Sequence, residues 1–479
     1  MKHEEYIKHD ALSLAELVRT REVSAAELLE TAISRADAVN PQLNAIVLKH
    51  YDMAREAIKH GLPEGPLTGV PFLVKDLFIE MQGTVTTNGS RFLKERVASA
   101  DSTIAMRYRQ AGLVIFGKTH SPEMGSAPSA ETRLWGQTLN PWNLALSPGG
   151  SSGGSAVAIA AGIVPAANAT DAGGSIRIPA SLTGLFGLKP TRGRVPLGPA
   201  RFEGGGGIAT LHAITRSVRD SAALLNAASG AEPGALYGVP PPIDALAATA
   251  RDPGRLRVAV SMKGMSDGTL ADACRSAAED AAKKCEALGH EVEYADAELD
   301  REEYRRARNV LLSSTMTGAI TGLQRLLGRE AGPDDFEPAT WKLYEQGLNV
   351  RGHEVLWARE VMFTLHRQTT QFMRRYDVVL SPSLQAAAPP VGSLNSLDAS
   401  PEAAERIERY IAYTLLYNMT GQPSMSVPLY WTVDGMPIGA LFTGRFGAEE
   451  TLFSLAAQLE KAHPWFHRLP LEPYVERRT

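Results

Sequence analysis

The sequence predicts an α/β protein built around a parallel or mixed sheet. Residues 255–262 read as a strand, 270–288 as a helix followed by Gly289, and 290–294 as a second strand. Such a βαβ unit joins parallel neighbours. A helix-to-strand change also lies upstream. There Ile104, Tyr108 and Ala111 share a helix face, Gly112 supplies the C-cap, and 113–116 is a short apolar run suited to a buried strand. Asp434-Gly435, set between apolar runs at 426–431 and 438–443, has the residues a hairpin turn needs, because its central positions take positive φ.

Taken in order, residues 1–70 form a helical entry. Ser13 with Glu16 and Ser24 with Glu27 have capping-box spacing, and Leu28, Ala32, Ala36 and Val39 continue the second helix up to Pro41. From Leu134 to Thr170 there is no charged residue, yet Pro141, Pro148 and Pro165 exclude a membrane-spanning helix. The stretch reads instead as a Gly/Ser-rich loop entering a small-residue helix at 155–162 that is buried all round. The Pro-rich stretch from Val239 to Pro242 marks a boundary inside a single domain spanning 1–479. It separates a core at 71–230 from a variable, mostly helical segment at 244–376 that covers the pocket, after which 377–479 returns to the sheet. In the variable segment Trp357, Val361, Leu365 and Phe372 share a face, and Trp341, Tyr344 and Trp357 have the spacing of ordinary core. Gly204 to Gly207 form a flexible loop, and a closing helix at 449–462 stops before Pro464.

Composition narrows the function. The 479 residues carry 49 Lys plus Arg against 53 Asp plus Glu, a formal charge of -4, so no field draws the protein to nucleic acid or anionic lipid. With 44% hydrophobic and 21% charged residues the chain is an ordinary globular one. Cys274 and Cys285 fall on one predicted helix, where eleven residues at about 1.5 Å each hold the sulfurs roughly 16 Å apart. They cannot pair, which excludes a disulfide framework and a cysteine zinc site and suits a reducing cytoplasm. The opening MKHEEYIKHD has no apolar signal region, so a cytoplasmic location is expected and the sequons at Asn168 and Asn418 carry no meaning. No cluster has metal-ligand spacing, and neither metal nor cofactor is expected.

Two Gly-Ser loops stand out. Ser147-Pro-Gly-Gly-Ser151-Ser152-Gly-Gly-Ser155 is followed by Thr170-Asp171-Ala172-Gly173-Gly174-Ser175-Ile176-Arg177. An Ala-Gly-Gly-Ser run lets successive backbone N–H groups converge, which is what an oxyanion hole requires. Ser175 then presents a hydroxyl to the carbon whose oxygen those amides hold. No nearby histidine has a triad-like context. Lys75, embedded in Val70-Pro-Phe-Leu-Val-Lys75-Asp76, is the other base, because burial disfavours its charged form. A neutral amine takes the proton of Ser175 directly or through Ser151.

These loops, the Gly69-Val-Pro-Phe-Leu-Val-Lys75-Asp76 segment and Gly187-Leu-Lys-Pro-Thr191 together resemble the amidase signature family, whose members cleave or transfer amide groups with a Ser-cisSer-Lys triad. The resemblance runs continuously over 14–230 and resumes over 377–465 with Thr420-Gly-Gln-Pro423 and Asp434-Gly-Met-Pro-Ile-Gly439. In look it is nearest to the bacterial nylon-oligomer and aryl-acylamide type. It implies one large mixed sheet covered by helices on both faces, with Ser175 as nucleophile, Ser151 on a cis peptide as bridge and Lys75 as base. It further implies that the amides of Ala172, Gly173, Gly174 and Ser175 hold the oxyanion, with Met124 and Gly125 beside the substrate. Ser152 adds a supporting hydrogen bond, and Thr170, Asp171 and Arg177 fix the loop. His120 stands where asparagine is frequent. A small-molecule amide is the expected partner, with ester, anilide or urethane bonds as further substrates and a monomer or homodimer as the assembly. The alternative is the glutaminase-type A subunit of an amidotransferase complex.

Two motif matches are rejected. Gly112-Leu-Val-Ile-Phe-Gly117-Lys118-Thr119 fits the P-loop expression, but 113–116 is an apolar strand where a phosphate loop belongs. Gly149-Gly-Ser151-Ser-Gly153 fits a nucleophile elbow, but a proline-bounded loop precedes it where an elbow follows a strand.

Overall fold

The computed structural model describes residues 1–470, so the end of the 377–479 segment lies outside the described residues. An 11-stranded mixed sheet runs through it. In chain order its strands are β1 (Ile46–Lys49), β2 (Pro71–Lys75), β3 (Val114–Thr119), β4 (Ala166–Asp171), β5 (Phe186–Lys189) and β6 (Thr210–Thr215), then β7 (Arg257–Val260), β8 (Glu291–Tyr294), β9 (Val378–Pro382), β10 (Ser424–Trp431) and β11 (Pro437–Gly444). Across the sheet they lie in the order β1-β3-β2-β4-β6-β5-β10-β11-β9-β7-β8. β2 is parallel to β3 and β4, and β7 to β8 and β9, while β10 and β11 form the antiparallel hairpin expected around Asp434-Gly435.

Alternation along β11 shows how both faces are covered. Gly439 packs against Ser181 of helix Arg177–Thr183, and Leu441 joins Ile178 and Leu182 in one apolar cluster. Ala440 and Phe442 point the other way, into the cluster that holds Leu452 and Phe453 of helix Glu449–Ala462. The sheet is thus the middle layer, buried on both sides like the runs of apolar residues in its strands. Helix Asp272–Ala287 connects β7 to β8 as the βαβ reading requires, with Cys274 and Cys285 both buried and unpaired.

Three expectations are corrected. The first long helix is Ala11–Arg19, capped by Asp10, whose carboxylate accepts from the Ser13 amide at 3.0 Å. Ser13 is therefore inside the helix, because the apolar face already begins at Ala11, and Glu16 pairs with Arg19 instead of closing a box. The Ser24/Glu27 box is present, but its helix runs to Leu43 with Pro41 in the last turn and Asn44 as a left-handed cap. The strand read at 113–116 continues to Thr119, so Lys118 is fully buried and its ammonium donates to Val85 O at 2.7 Å. That lysine cannot serve a phosphate. The uncharged stretch forms helix Gly153–Ala160, every residue of which is buried.

Candidate active site

Lys75 ends β2, a strand buried at all five positions, and its side chain is fully buried. Its amine lies 2.7 Å from Ser151 Oγ, 3.0 Å from Ser152 Oγ and 2.9 Å from Thr170 Oγ1. Among the described residues no carboxylate is bonded to it. Asp76 turns away and accepts from the amide of Thr87 at 2.9 Å and from its hydroxyl. Burial pushes the Lys75 ammonium well below the ordinary lysine value, opposed by the field of Asp171.

Ser151 and Ser152 reach Lys75 from the loop that feeds helix Gly153–Ala160. The Gly150–Ser151 peptide is cis, and only glycine fits at 150, where a Cβ would meet Ser129 O at 2.0 Å. The residues leading directly into Ser151, 141–150, are turn and loop with no strand, in agreement with rejection of the elbow. Ser152 supports the cluster from below, with its hydroxyl donating to Thr170 O at 3.2 Å.

The second loop leaves the end of β4. Asp171 is fully buried and is gripped by Arg177, whose Nε and terminal nitrogen donate at 2.9 Å and 2.8 Å. Burial raises the Asp171 carboxyl, but Arg177, Asn418 and Lys189 together hold it below its ordinary value. The same carboxylate accepts from the amides of Gly174 at 2.8 Å and Ile176 at 3.1 Å, which winds the chain between them into a tight arc. The Gly174 N–H, expected among the oxyanion donors, is thus bonded to Asp171 in this structure. The amides of Ala172, Gly173 and Ser175 have no acceptor among the described residues. Gly174 is required for another reason, a φ of 132° and a Cβ position 2.4 Å from Thr414 Oγ1.

Ser175, Ser151, Ala172, Gly173, Met124 and Gly125 all face one cavity of about 240 Å³, and Ser175 is partly exposed to it. Gly174 and Ser152 stand behind that wall. The far wall is largely apolar: Leu312, Met316 and Ala319 from helix Arg301–Leu327, Leu343 from helix Pro338–Leu348, and Ile407 and Ile411. Residues within 312–319 and Leu343, from the 244–376 segment, thus form part of the pocket wall. Trp341 and Tyr344 stay outside it, packed on each other with centroids 4.7 Å apart and their planes tilted by 35°. His120 also lies away from it, fully buried with Nδ1 2.7 Å from Thr138 Oγ1 and its charged form suppressed by burial.

Two residues that sequence reasoning missed hold the 171–177 loop. Asn418 Nδ2 donates to Asp171 O at 3.0 Å, to its carboxylate at 2.9 Å and to Ile208 O at 3.0 Å, and Asn418 Oδ1 accepts from Arg177 at 2.6 Å. Thr414 Oγ1 donates to Gly173 O at 2.6 Å. The only local hint is an amide side chain inside the apolar run 415–419. Because Arg177 and Asp171 are both 0% exposed, replacing Arg177 with methionine strands a buried carboxylate. The expected loss is about 3–5 kcal/mol of stability, read as a lower urea midpoint at unchanged slope. A shift below about 1 kcal/mol counts against this anchoring role.

A mixed sheet whose central strands and the loops beside them deliver a buried lysine, two serines and a run of free amides to one pocket defines a hydrolase-type site. The Amidase family model matches residues 27–453, and the chain belongs to that family of enzymes acting on amide C–N bonds. It is 37% identical over 476 residues to the 6-aminohexanoate-cyclic-dimer hydrolase of Paenarthrobacter ureafaciens, covering 96% of each chain. A solved structure of 6-aminohexanoate cyclic dimer hydrolase complexed with substrate superposes with a TM-score of 0.92 at 36% identity, covering 97% of this chain and 99% of the other. A bacterial aryl acylamidase of the amidase signature family gives a TM-score of 0.87 at 27% identity, with coverages of 96% and 97%. Among the described residues no helix is long and apolar enough to cross a membrane.

Proposed function

We propose that this chain hydrolyses small carboxylic amides through an acyl-enzyme formed on Ser175. Ser175 Oγ attacks the carbonyl carbon as its proton passes to Ser151 Oγ and the Ser151 proton passes to the neutral amine of Lys75. The carbonyl oxygen, now an oxyanion, takes hydrogen bonds from the unused amides of the 172–175 arc. Collapse expels the amine, which receives the proton back from Lys75 through Ser151. Water then repeats the sequence on the ester, releasing the acid and restoring Ser175. Ester and urethane carbonyls pass through the same tetrahedral geometry and are substrates on this reading.

The observation that carries it is the setting of Lys75: fully buried, bonded to no carboxylate among the described residues, and 2.7 Å from Ser151 Oγ. A cation there would be costly, so the resting amine is a base with its lone pair available. The sign for pH follows. Below the lowered pKa of Lys75 the amine is protonated and cannot accept, so kcat/KM rises with pH through that value and levels off above it. An acid limb running the other way overturns the assignment. Turnover of simple amides by the isolated chain, with neither ATP nor a partner, separates this reading from an amidotransferase subunit.

A further inference from the structure

Apart from Asp171, which Arg177 neutralises, the cavity wall carries one charged side chain among the described residues. Arg201 reaches it from the stretch that also contributes Leu197, Gly204 and Gly205. Its guanidinium carbon stands 4.1 Å from the ring centroid of Phe78, itself a wall residue. No ion pair or hydrogen bond engages the Arg201 side chain among the described residues. The acidic group that most influences it is Glu80, and that carboxylate is already held by Arg96 at 2.7 Å. Burial holds Arg201 below the ordinary arginine value, so the group has lost much of its water without gaining an anion.

An unpaired cation facing Leu77, Met316 and Ala319 is an expensive arrangement unless something completes it. The planar fork of a guanidinium matches a carboxylate with two parallel hydrogen bonds, and stacking on Phe78 fixes the plane of that fork. We propose that Arg201 is a specificity-determining residue that captures a carboxylate carried by the substrate at the end remote from the scissile amide. The preferred substrate class is then an amide with an anionic terminus, its apolar linker lying along the Leu77–Met316 wall. This rests on the reading of the site as an amide hydrolase.

The carboxylate belongs either to the acyl half or to the amine half, and paired substrates distinguish them. The isolated full chain is assayed on adipic monoamide against hexanamide, and on N-acetyl-ω-aminohexanoate against N-hexylacetamide. The expected result is a kcat/KM about 10- to 100-fold higher for the charged member of one pair, carried mainly by KM. Arg201→Met brings that ratio close to one, and Arg201→Lys, which keeps the charge and loses the fork, recovers part of it. A wild-type ratio near one in both pairs, or an equal loss on both members in Arg201→Met, overturns the proposal. Titration calorimetry with hexanoate and hexanol needs no turnover: hexanoate binds more tightly to the wild type, and the advantage disappears in Arg201→Met. If no amide is hydrolysed, the functional reading fails, and the calorimetric comparison alone decides the role of Arg201.

Discussion

Replacing Ser175 with alanine is expected to lower kcat by about 10⁴- to 10⁶-fold while moving KM by less than about threefold. The size follows from the division of labour at the site. The free amides of Ala172 and Gly173 and the apolar far wall are untouched by losing one hydroxyl, so substrate still binds and polarisation of its carbonyl persists. On the mechanism proposed above, what disappears is the covalent route, and water must attack an amide directly. The same mechanism makes the three side chains one relay, so their losses are not expected to multiply. Adding Ser151→Ala or Lys75→Met to Ser175→Ala is expected to cost less than about a further tenfold. Single-turnover assays on the three variants and their combinations check this, and independent, multiplying losses would disprove the relay.

Lys75→Met is the second large effect, a drop in kcat/KM of about 10²- to 10⁴-fold with the fold retained. Methionine fills a similar volume, and Ser152 keeps its bonds to Thr170 O and from the Thr170 amide when the amine is gone. A stability measurement tests the state of the amine without reference to catalysis. A lysine whose pKa is lowered by folding binds its proton more readily in the unfolded chain. Unfolding free energy therefore rises with pH between the lowered value and about 10.4, at up to about 1.4 kcal/mol per pH unit for one group. Removing Lys75 takes away one group's share of that slope. An unchanged slope means that Lys75 is an ordinary charged lysine and cannot be the base.

Local chemistry accounts for what the sequence disclosed. The βαβ unit, the Asp434-Gly435 hairpin and the closing helix follow from short-range periodicity and turn residues, and each lies within a few residues of its expected bounds. Lys75, Ser151 and Ser175 were legible as a set because each sits in an improbable local setting, a lysine in an apolar strand and two serines in glycine runs. The anchors were not. Asn418 reaches Asp171 across 247 positions, and a hydrogen bond of that span leaves no periodic trace. Leu312 and Met316 line the pocket at a spacing of four, the same spacing that buries a helix in a core, so pattern alone does not separate lid from interior. The capping error at Ser13 arose from Asp10, an equally good cap one turn earlier.

The position of β10 and β11 makes both halves of the sheet depend on a single hairpin. These strands occupy the interior of the sheet between β5 and β9, and the helix just before them carries Asn418. Without them the chain is left with two half-sheets with raw edges, and without that helix the 172–175 arc lacks its tether. A chain cut ahead of residue 415 is therefore expected to be inert and adhesive, a substrate for chaperones and proteases in place of a partial enzyme.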